Sequence, residues 1–154
     1  IELDPFYPKA FYNRGSMLGQ NLHRFLEALA DLDKVIELDP DYADAYNNKG
    51  MVCEQLGKKE KALECYRMAL KVDPANMEAH NNIATIFFME GRLEKAAKEY
   101  EAAIRIVPND PELYFNLALT YQRMGQHDLA RTNLGKAKKI DPFIEMKYRL
   151  KGGL

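Results

Sequence analysis

The segment from His80 to Pro108, HNNIATIFFMEGRLEKAAKEYEAAIRIVP, carries the pattern that decides the fold. In each half of it, the side chains of one face recur at the three- and four-residue spacing of an α-helix. These side chains are His80, Ile83, Ala84 and Phe87 in the first half and Ala96, Tyr100, Ala103 and Ile106 in the second. Gly91 lies between the halves, where a left-handed residue can end a helix, and Pro108 ends the second helix because proline has no amide hydrogen to donate. The segment therefore predicts a helical hairpin.

The same pattern recurs along the chain at a fixed interval of 34 residues. The residues that repeat at this interval are Pro40, Pro74, Pro108 and Pro142, Gly57, Gly91 and Gly125, Ala62, Ala96 and Ala130, and Ala69, Ala103 and Ala137. A period of this length is typical of stacked supersecondary units, none of which buries its apolar face alone. The sequence therefore predicts an all-α fold built from consecutive helical hairpins.

Two short motifs in each hairpin identify a family that the chain resembles. The first-helix motifs are YNNKG at Tyr46–Gly50, HNNIA at His80–Ala84 and YFNLA at Tyr114–Ala118, and the second-helix motifs are KALECYRMAL, KAAKEYEAAI and LARTNLGKAK. With these motifs the chain resembles the tetratricopeptide repeat family over about Lys9 to Pro142. The resemblance implies a right-handed α-solenoid of four helix-turn-helix repeats of 34–35 residues plus a C-terminal capping or truncated helix. It also implies that the first helices line a concave groove and that the second helices form the convex back.

The expected organisation is a single tetratricopeptide domain over residues 1–154. Its repeats are expected at about 6–40, 41–74, 75–108 and 109–142, followed by a C-terminal helix at about 143–151. The opening residues Ile1–Pro5 reappear as Ile36–Pro40 at the end of a second helix, so we expect a fragment of a longer array. The first repeat carries one extra residue around Gly19–Arg24, which predicts an irregular turn there.

Composition and charge exclude several classes of protein. The chain is 47% hydrophobic and 29% charged, which is typical of globular proteins, and its net charge of -1 creates no field that attracts nucleic acid. No apolar run approaches the ~18 residues of a membrane helix, so we expect no membrane insertion. The two cysteines, Cys53 and Cys65, exclude a disulfide framework and are expected to remain unlinked, with the Cys65 thiol turned sideways. The compartment stays open, with the cytoplasm slightly favoured.

The sequence offers no place for catalysis. The three histidines, His23, His80 and His127, lie far apart in the sequence, and His80 is expected to pack in the core where other repeats carry an aromatic residue. Glycine-rich phosphate loops, serine nucleophile motifs and paired carboxylates at a turn are all absent from the sequence. We therefore expect no enzymatic activity, no cofactor and no metal site.

One polar feature repeats on the first helices. An asparagine lies two residues before the small residue of each of them, at intervals of 35, 34 and 34 residues, and the four are Asn13, Asn48, Asn82 and Asn116. An asparagine amide donates and accepts hydrogen bonds at once, which suits the backbone of an extended peptide. The arrangement is similar to the asparagine ladder that lines the groove in the repeat domain of O-linked N-acetylglucosamine transferases. The alternative is that these amides only bond neighbouring helices.

The four asparagine amides alone bind a peptide weakly, because each side-chain hydrogen bond contributes a net ~0.5–1.5 kcal/mol. Additional anchors are therefore expected on the groove side, and the candidates are Phe88, Phe115 and Leu119, surrounded by Asn47, Asn81, Gln122 and Arg123. We expect them to form an apolar pocket between the third and fourth repeats. The alternative is that the two phenylalanines pack against adjacent helices.

These features predict a noncatalytic protein–protein interaction module that binds an extended partner peptide in the concave groove. A clamp for an acidic C-terminus is disfavoured, because the positions that would carry basic residues hold Tyr12, Asn47, Glu78 and Glu112. Two alternatives stay open. In the first alternative the chain is a scaffold for homo-oligomeric assembly. In the second it is the targeting segment of a larger enzyme.

Overall fold

The computed structural model of the chain describes residues 7–20 and 24–150. Within these ranges the chain is helical with short turns and has no β-strand. The described helices are α1 (Pro8–Gln20), α2 (Phe25–Leu38), α3 (Ala43–Gln55), α4 (Lys59–Val72), α5 (Met77–Met89), α6 (Leu93–Ile106), α7 (Pro111–Arg123), α8 (His127–Ile140) and α9 (Ile144–Leu150). The all-α fold of consecutive helix-turn-helix repeats is therefore confirmed. The expectations for Ile1–Pro5 and His23, and part of that for the turn after Gly19, lie outside the described residues.

The described residues form two compact units that divide between Ala79 and His80. In the first unit α1 packs on α2, α2 on α3 and α3 on α4, and α1 also contacts α3. In the second unit α6 packs on α7 and α7 on α8, and α9 lies against both α7 and α8. Helix α5 is tied to α6 by a hydrogen bond between Thr85 and the Tyr100 hydroxyl. Each hairpin thus buries its apolar stripe against neighbours as well as against its own partner helix.

Glycine in the left-handed region ends three of the first helices, as the sequence predicts. Gly57, Gly91 and Gly125 have φ values of +71°, +74° and +74°. The amide that follows each glycine donates to the carbonyl five residues earlier, as in Lys58 to Cys53 at 2.8 Å. This six-residue loop satisfies a helix-terminal carbonyl and requires a positive φ that costs little only for glycine.

The second helices end two residues before a proline. The last helical residues are Leu38, Val72, Ile106 and Ile140, and the prolines are Pro40, Pro74, Pro108 and Pro142. Before three of these prolines, at Asp39, Asp73 and Asp141, an aspartate side chain accepts a hydrogen bond from the backbone amide two residues on. Such a turn competes with continuation of the helix, so the chain turns toward the next hairpin.

Small residues on facing helices bring the two members of a hairpin close together. The second-helix alanines Ala28, Ala62, Ala69, Ala96, Ala103 and Ala137 are fully buried. On α3, a Cβ added to Gly50 would lie 2.5 Å from the ring of Tyr66, so only glycine admits this ring. On α1, a Cβ added to Gly15 would lie 3.1 Å from Cβ of Asp31 and 3.2 Å from Cγ of Leu32. In both of the first two hairpins a glycine of the first helix therefore faces a side chain of the second helix, which is Leu32 in one and Tyr66 in the other.

Candidate functional site

The described residues contain no group of three or more histidine, cysteine or acidic side chains that could hold a metal ion. None of the described helices is both long enough and apolar enough to cross a membrane. The His80 side chain is 16% exposed and its Nδ1 lies 2.7 Å from Oε2 of Glu99, so this imidazole faces a polar partner on α6 as well as the core. Cys53 and Cys65 are both free thiols.

The asparagine of α3 is bonded within the first unit. Asn48 is 8% exposed, and its side-chain nitrogen donates to the Ser16 hydroxyl of α1 at 2.8 Å. The Tyr12 hydroxyl lies beside the same two side chains, and their polar groups interact with it. Burial, and then the negative charges of Asp44 and Glu78, raise the pKa of Tyr12. Tyr12, Ser16 and Asn48 thus form one polar network across α1 and α3.

The asparagine of α7 is bonded within the second unit. Asn116 accepts a hydrogen bond from the Tyr148 hydroxyl of α9 at 3.0 Å. The Tyr148 ring also packs on Phe115, with ring centroids 4.1 Å apart, and Phe115 is only 2% exposed. Burial, followed by the charge of Glu112, raises the pKa of Tyr148 to about 12. At Asn48 and Asn116 the amide therefore bonds a neighbouring helix, which is the alternative that the sequence left open.

The remaining predicted residues are found in different surroundings. Asn13 is exposed, while Asn81 and Asn82 are half-buried on α5. Asn47 is 5% exposed, and its side-chain nitrogen lies 3.8 Å from the sulfur of Met51. Of the four ladder asparagines, only Asn13 is therefore exposed.

Arg123 covers Phe88 within the second unit. Its guanidinium carbon lies 4.6 Å from the centroid of the Phe88 ring, and its Nη1 donates to the Phe88 carbonyl at 3.0 Å. This cation–π contact joins the C-terminal end of α7 to that of α5 and leaves the half-buried ring at the surface. The two residues form a single amphipathic contact patch.

Two of the predicted anchors, Phe115 and Leu119, line a cavity in the second unit together with Gln122. The cavity has a volume of about 430 Å³ and is lined by Phe115, Ala118, Leu119, Gln122, His127, Ala130, Arg131, Leu134 and Glu145. It lies among α7, α8 and α9, whereas the sequence placed an apolar pocket between the third and fourth repeats. Phe88 and Arg123 do not line it. The predicted anchors are therefore divided between this cavity and the patch of Phe88 with Arg123.

A second cavity lies in the first unit between α1 and α3. It has a volume of about 250 Å³ and is lined by Gly15, Ser16, Gly19, Leu32, Asn48, Met51, Val52 and Gln55. We call it the α1–α3 cavity. Its floor is apolar, and the hydrogen bond between Ser16 and Asn48 lies in its wall. It therefore combines an apolar interior with a few hydrogen-bonding side chains, which is the usual character of a ligand site.

Sequence reasoning missed most residues of the α1–α3 cavity. Ser16, Gly19 and Leu32 have ordinary residue types, and only their places in the repeat distinguish them. The available signal is a pair of glycines, Gly15 and Gly19, one helical turn apart, opposite a leucine at a position where two other repeats carry Tyr66 and Tyr100. Small residues facing a shortened side chain predict empty space between the helices.

Comparisons with known proteins agree on the repeat. Family models of the TPR repeat match residues 24–57 and 84–125, and models described as tetratricopeptide repeat match residues 43–76 and 111–143. No curated protein matches the sequence.

Solved structures named MamA are similar in fold. A crystal structure of MamA superposes with a TM-score of 0.80 at 23% identity and covers 94% of this chain and 84% of that chain. The structure of MamA 41-end from Desulfovibrio magneticus RS-1 has a TM-score of 0.75 at 23% identity and covers 89% of this chain and 77% of that chain. MamA MSR-1 C2 has a TM-score of 0.70 at 20% identity and covers 92% of this chain and 81% of that chain. At these identities the likeness concerns the fold alone.

Proposed function

Because the chain belongs to the tetratricopeptide repeat family, we propose that it is a noncatalytic module that binds an extended segment of a partner protein along its first helices. The family and the fold support an interaction module. The observation that carries the finer proposal is the α1–α3 cavity, which opens beside the polar network of Tyr12, Ser16 and Asn48. An apolar recess next to amide and hydroxyl groups offers a peptide an anchor and backbone partners at one place.

The spacing of the first helices suits an extended chain. Packed helices lie roughly 8–10 Å apart, and an extended peptide rises about 3.3 Å per residue, so it meets a new first helix every two or three residues. An asparagine amide has two N–H donors and a carbonyl oxygen with two lone pairs, so one bond does not exhaust it. The bonds from Asn48 to Ser16 and from Tyr148 to Asn116 therefore orient the amides while leaving them capacity for a ligand.

The rest of the proposed binding surface divides between hydrogen-bonding and apolar residues. The amide group consists of Asn13, Asn47, Asn48, Asn81, Asn82 and Asn116, and the apolar anchors are Phe88, Phe115 and Leu119, with Gln122 and Arg123 beside them. Leu119 and Gln122 reach the cavity of the second unit, whose floor contains the buried Phe115 ring. The similarity to the ladder of O-linked N-acetylglucosamine transferases stays a prediction.

Peptide display followed by titration tests the proposal. Random 12-residue peptides are selected on the purified chain, and the Kd of each enriched peptide is measured by fluorescence anisotropy. Changing Asn48, Asn82 and Asn116 together to Ala is expected to weaken binding by about 10-fold or more, since three bonds of roughly 0.5–1.5 kcal/mol are lost. Asn109→Ala removes an exposed amide outside the helices and is the matched control. Unchanged affinity in the triple variant, with unchanged helicity, shows that the ladder is structural.

One observation favours self-assembly as a second function. Ile140, Phe143 and Met146 lie close together in sequence across the end of α8 and the start of α9, and they are 40%, 62% and 54% exposed. Neighbouring exposed apolar side chains are a common feature of protein interfaces. Light scattering after size-exclusion chromatography at increasing protein concentration, with Phe143→Ser for comparison, tests this function. A mass that grows with concentration only in the unmodified chain supports it, and a constant monomer mass excludes it.

A further inference from the structure

The second repeat fills with its own tyrosine the space that the α1–α3 cavity leaves open in the first. The Tyr66 ring lies against Gly50, where an added Cβ would be 2.5 Å from the ring. The Tyr66 hydroxyl donates to Glu54 at 2.7 Å, so the ring spans one turn of α3. In the third repeat the Tyr100 hydroxyl likewise reaches the first helix, at Thr85. A phenol ring laid along the first helix is thus part of both of these hairpins.

The first repeat lacks this ring and the residue that holds it. Counting from the alanines Ala28 and Ala62, Leu32 takes the place of the tyrosine. Gly19 takes the place of Glu54, so the carboxylate partner is missing as well. Leu32 reaches Gly15 and stops, and the α1–α3 cavity of about 250 Å³ begins there. An apolar cavity of roughly 150 Å³ is enough to hold benzene, so this one has room for an aromatic ring.

Two carboxylates, those of Asp44 and Glu78, lie near Tyr12 beside the cavity. Asp44 lies four residues before Asn48 on α3, which places it one turn, about 6 Å, along the same face. The charges of Asp44 and Glu78 both act on the Tyr12 hydroxyl, which lies beside Ser16 and Asn48 of the cavity wall. Both carboxylates belong to exposed residues. A cation near the opening is therefore favoured over an anion.

We propose that the α1–α3 cavity binds an aromatic side chain of a partner segment that carries a basic group beside it. This inference rests on the proposed function, since it names the anchor that the partner supplies. The partner's ring enters the cavity beside Leu32, where the first repeat lacks the tyrosine ring, and the basic group faces Asp44. The hydrogen bond between Ser16 and Asn48 leaves both groups able to bond the partner's backbone.

Three small molecules with the same ring and different charges test the proposal. They are p-cresol, which is neutral, tyramine, which is a cation, and 4-hydroxyphenylacetate, which is an anion. Each is titrated into the 15N-labelled chain, and the amide shifts of residues 15–19 and 48–55 are followed by NMR. We expect saturable shifts with p-cresol and tyramine. Tyramine should bind about two- to fivefold more tightly than p-cresol at low salt, and the anion more weakly.

Two variants close the cavity in different ways. Leu32→Phe places a ring in it from within, in the manner of Tyr66, and is expected to abolish the shifts. Ser16→Met introduces at its opening the residue type of the equivalent Met51, so it tests the same point if the first variant folds poorly. The matched control is Leu134→Phe, which fills the other cavity and should leave binding at α1–α3 unchanged. Asp44→Asn should remove the preference for tyramine.

The outcomes separate this inference from the proposed function. Absence of saturable shifts at these amides, or equal binding to Leu32→Phe and Ser16→Met when both are folded, overturns the aromatic anchor. Equal affinity for the three small molecules overturns the proposal that the partner carries a basic group beside its aromatic ring. If peptides from the display experiment bind the unmodified chain and Leu32→Phe equally well, the anchor is wrong while the proposed function stands. If the small molecules bind and no peptide does, the aromatic anchor stands while the proposed function is wrong.

Discussion

The guanidinium of Arg14 forms two hydrogen bonds with the carboxylate of Asp31, at 2.6 and 2.5 Å, and joins α1 to α2. The Asp31 side chain is only 7% exposed, whereas that of Arg14 is 43% exposed. The third and fourth repeats carry Ile83 and Leu117 at the position of Arg14. The first hairpin is therefore closed by a charged pair where the third and fourth use apolar side chains.

Arg14→Leu is expected to lower the free energy of unfolding by about 2–3 kcal/mol, because it leaves the buried Asp31 carboxylate without its partner. The value is below that of a fully buried pair because water screens the exposed Arg14. Urea denaturation followed by circular dichroism measures the change. Adding Asp31→Asn to the same chain should recover part of the loss, and a double variant less stable than Arg14→Leu alone would contradict this explanation.

Two glycine-to-alanine changes should have opposite effects. Gly91→Ala is expected to destabilise the chain by about 1–2 kcal/mol, because an alanine at a φ of +74° places its Cβ against the following carbonyl. Gly135→Ala is expected to stabilise it by about 0.5–1 kcal/mol, since this glycine lies within α8 and its added Cβ meets nothing within 4 Å. Thermal denaturation of both variants provides the comparison. Equal shifts of the same sign would show that the turn tolerates other residues.

Gly50→Ala should destabilise the second hairpin by about 1–3 kcal/mol, because its methyl group would overlap the Tyr66 ring. The ring cannot move away easily, since Tyr66 is fully buried and bonded to Glu54. Combining the change with Tyr66→Leu copies the smaller side chain of the first hairpin. A double-mutant cycle measured by urea denaturation is expected to show that the two changes together cost less than their sum. If the two free-energy changes simply add, the contact between Gly50 and the Tyr66 ring does not cause the loss of stability.

Cys65 should react slowly with alkylating reagents. Burial and the neighbouring Cys53 thiol raise the pKa of Cys65 from 9.0 to about 11, which lowers its thiolate fraction near neutral pH about 100-fold. Labelling with iodoacetamide, located by mass spectrometry, should therefore accelerate about tenfold per pH unit up to pH 10. A plateau near pH 9 would contradict the shift. Because the folded-state pKa is raised, the stability that this thiol contributes is present below about pH 9 and is lost between about 9 and 11.

The helices and turns could be predicted because their causes are local. A helical stripe, a glycine such as Gly91 and a proline such as Pro108 each act within a few residues of the chain, and the observed helices end beside them. The partner of Asn48 could not be predicted in this way. Ser16 lies 32 residues away, and whether the amide meets it depends on how α1 packs against α3.

Side-chain orientation was harder to predict than helix position. The sequence placed the Cys65 thiol sideways from its position beside Tyr66, and both thiols were expected to remain unlinked. They are free, and the Cys53 thiol is near enough to Cys65 to raise its pKa. The rotation of about 100° per residue fixes where a side chain leaves the helix, but it does not fix which atoms the facing helix brings within reach.

The exchange of a tyrosine for a leucine between the second and first repeats has a consequence for how such proteins diversify. The exchanged position lies where the paired helices face each other, and Leu32 also shares a core with Ala45 and Val52 of the next hairpin. A single substitution there opens or shuts a recess between one hairpin and the next. New binding preferences can therefore arise one hairpin at a time, without rebuilding the molecule.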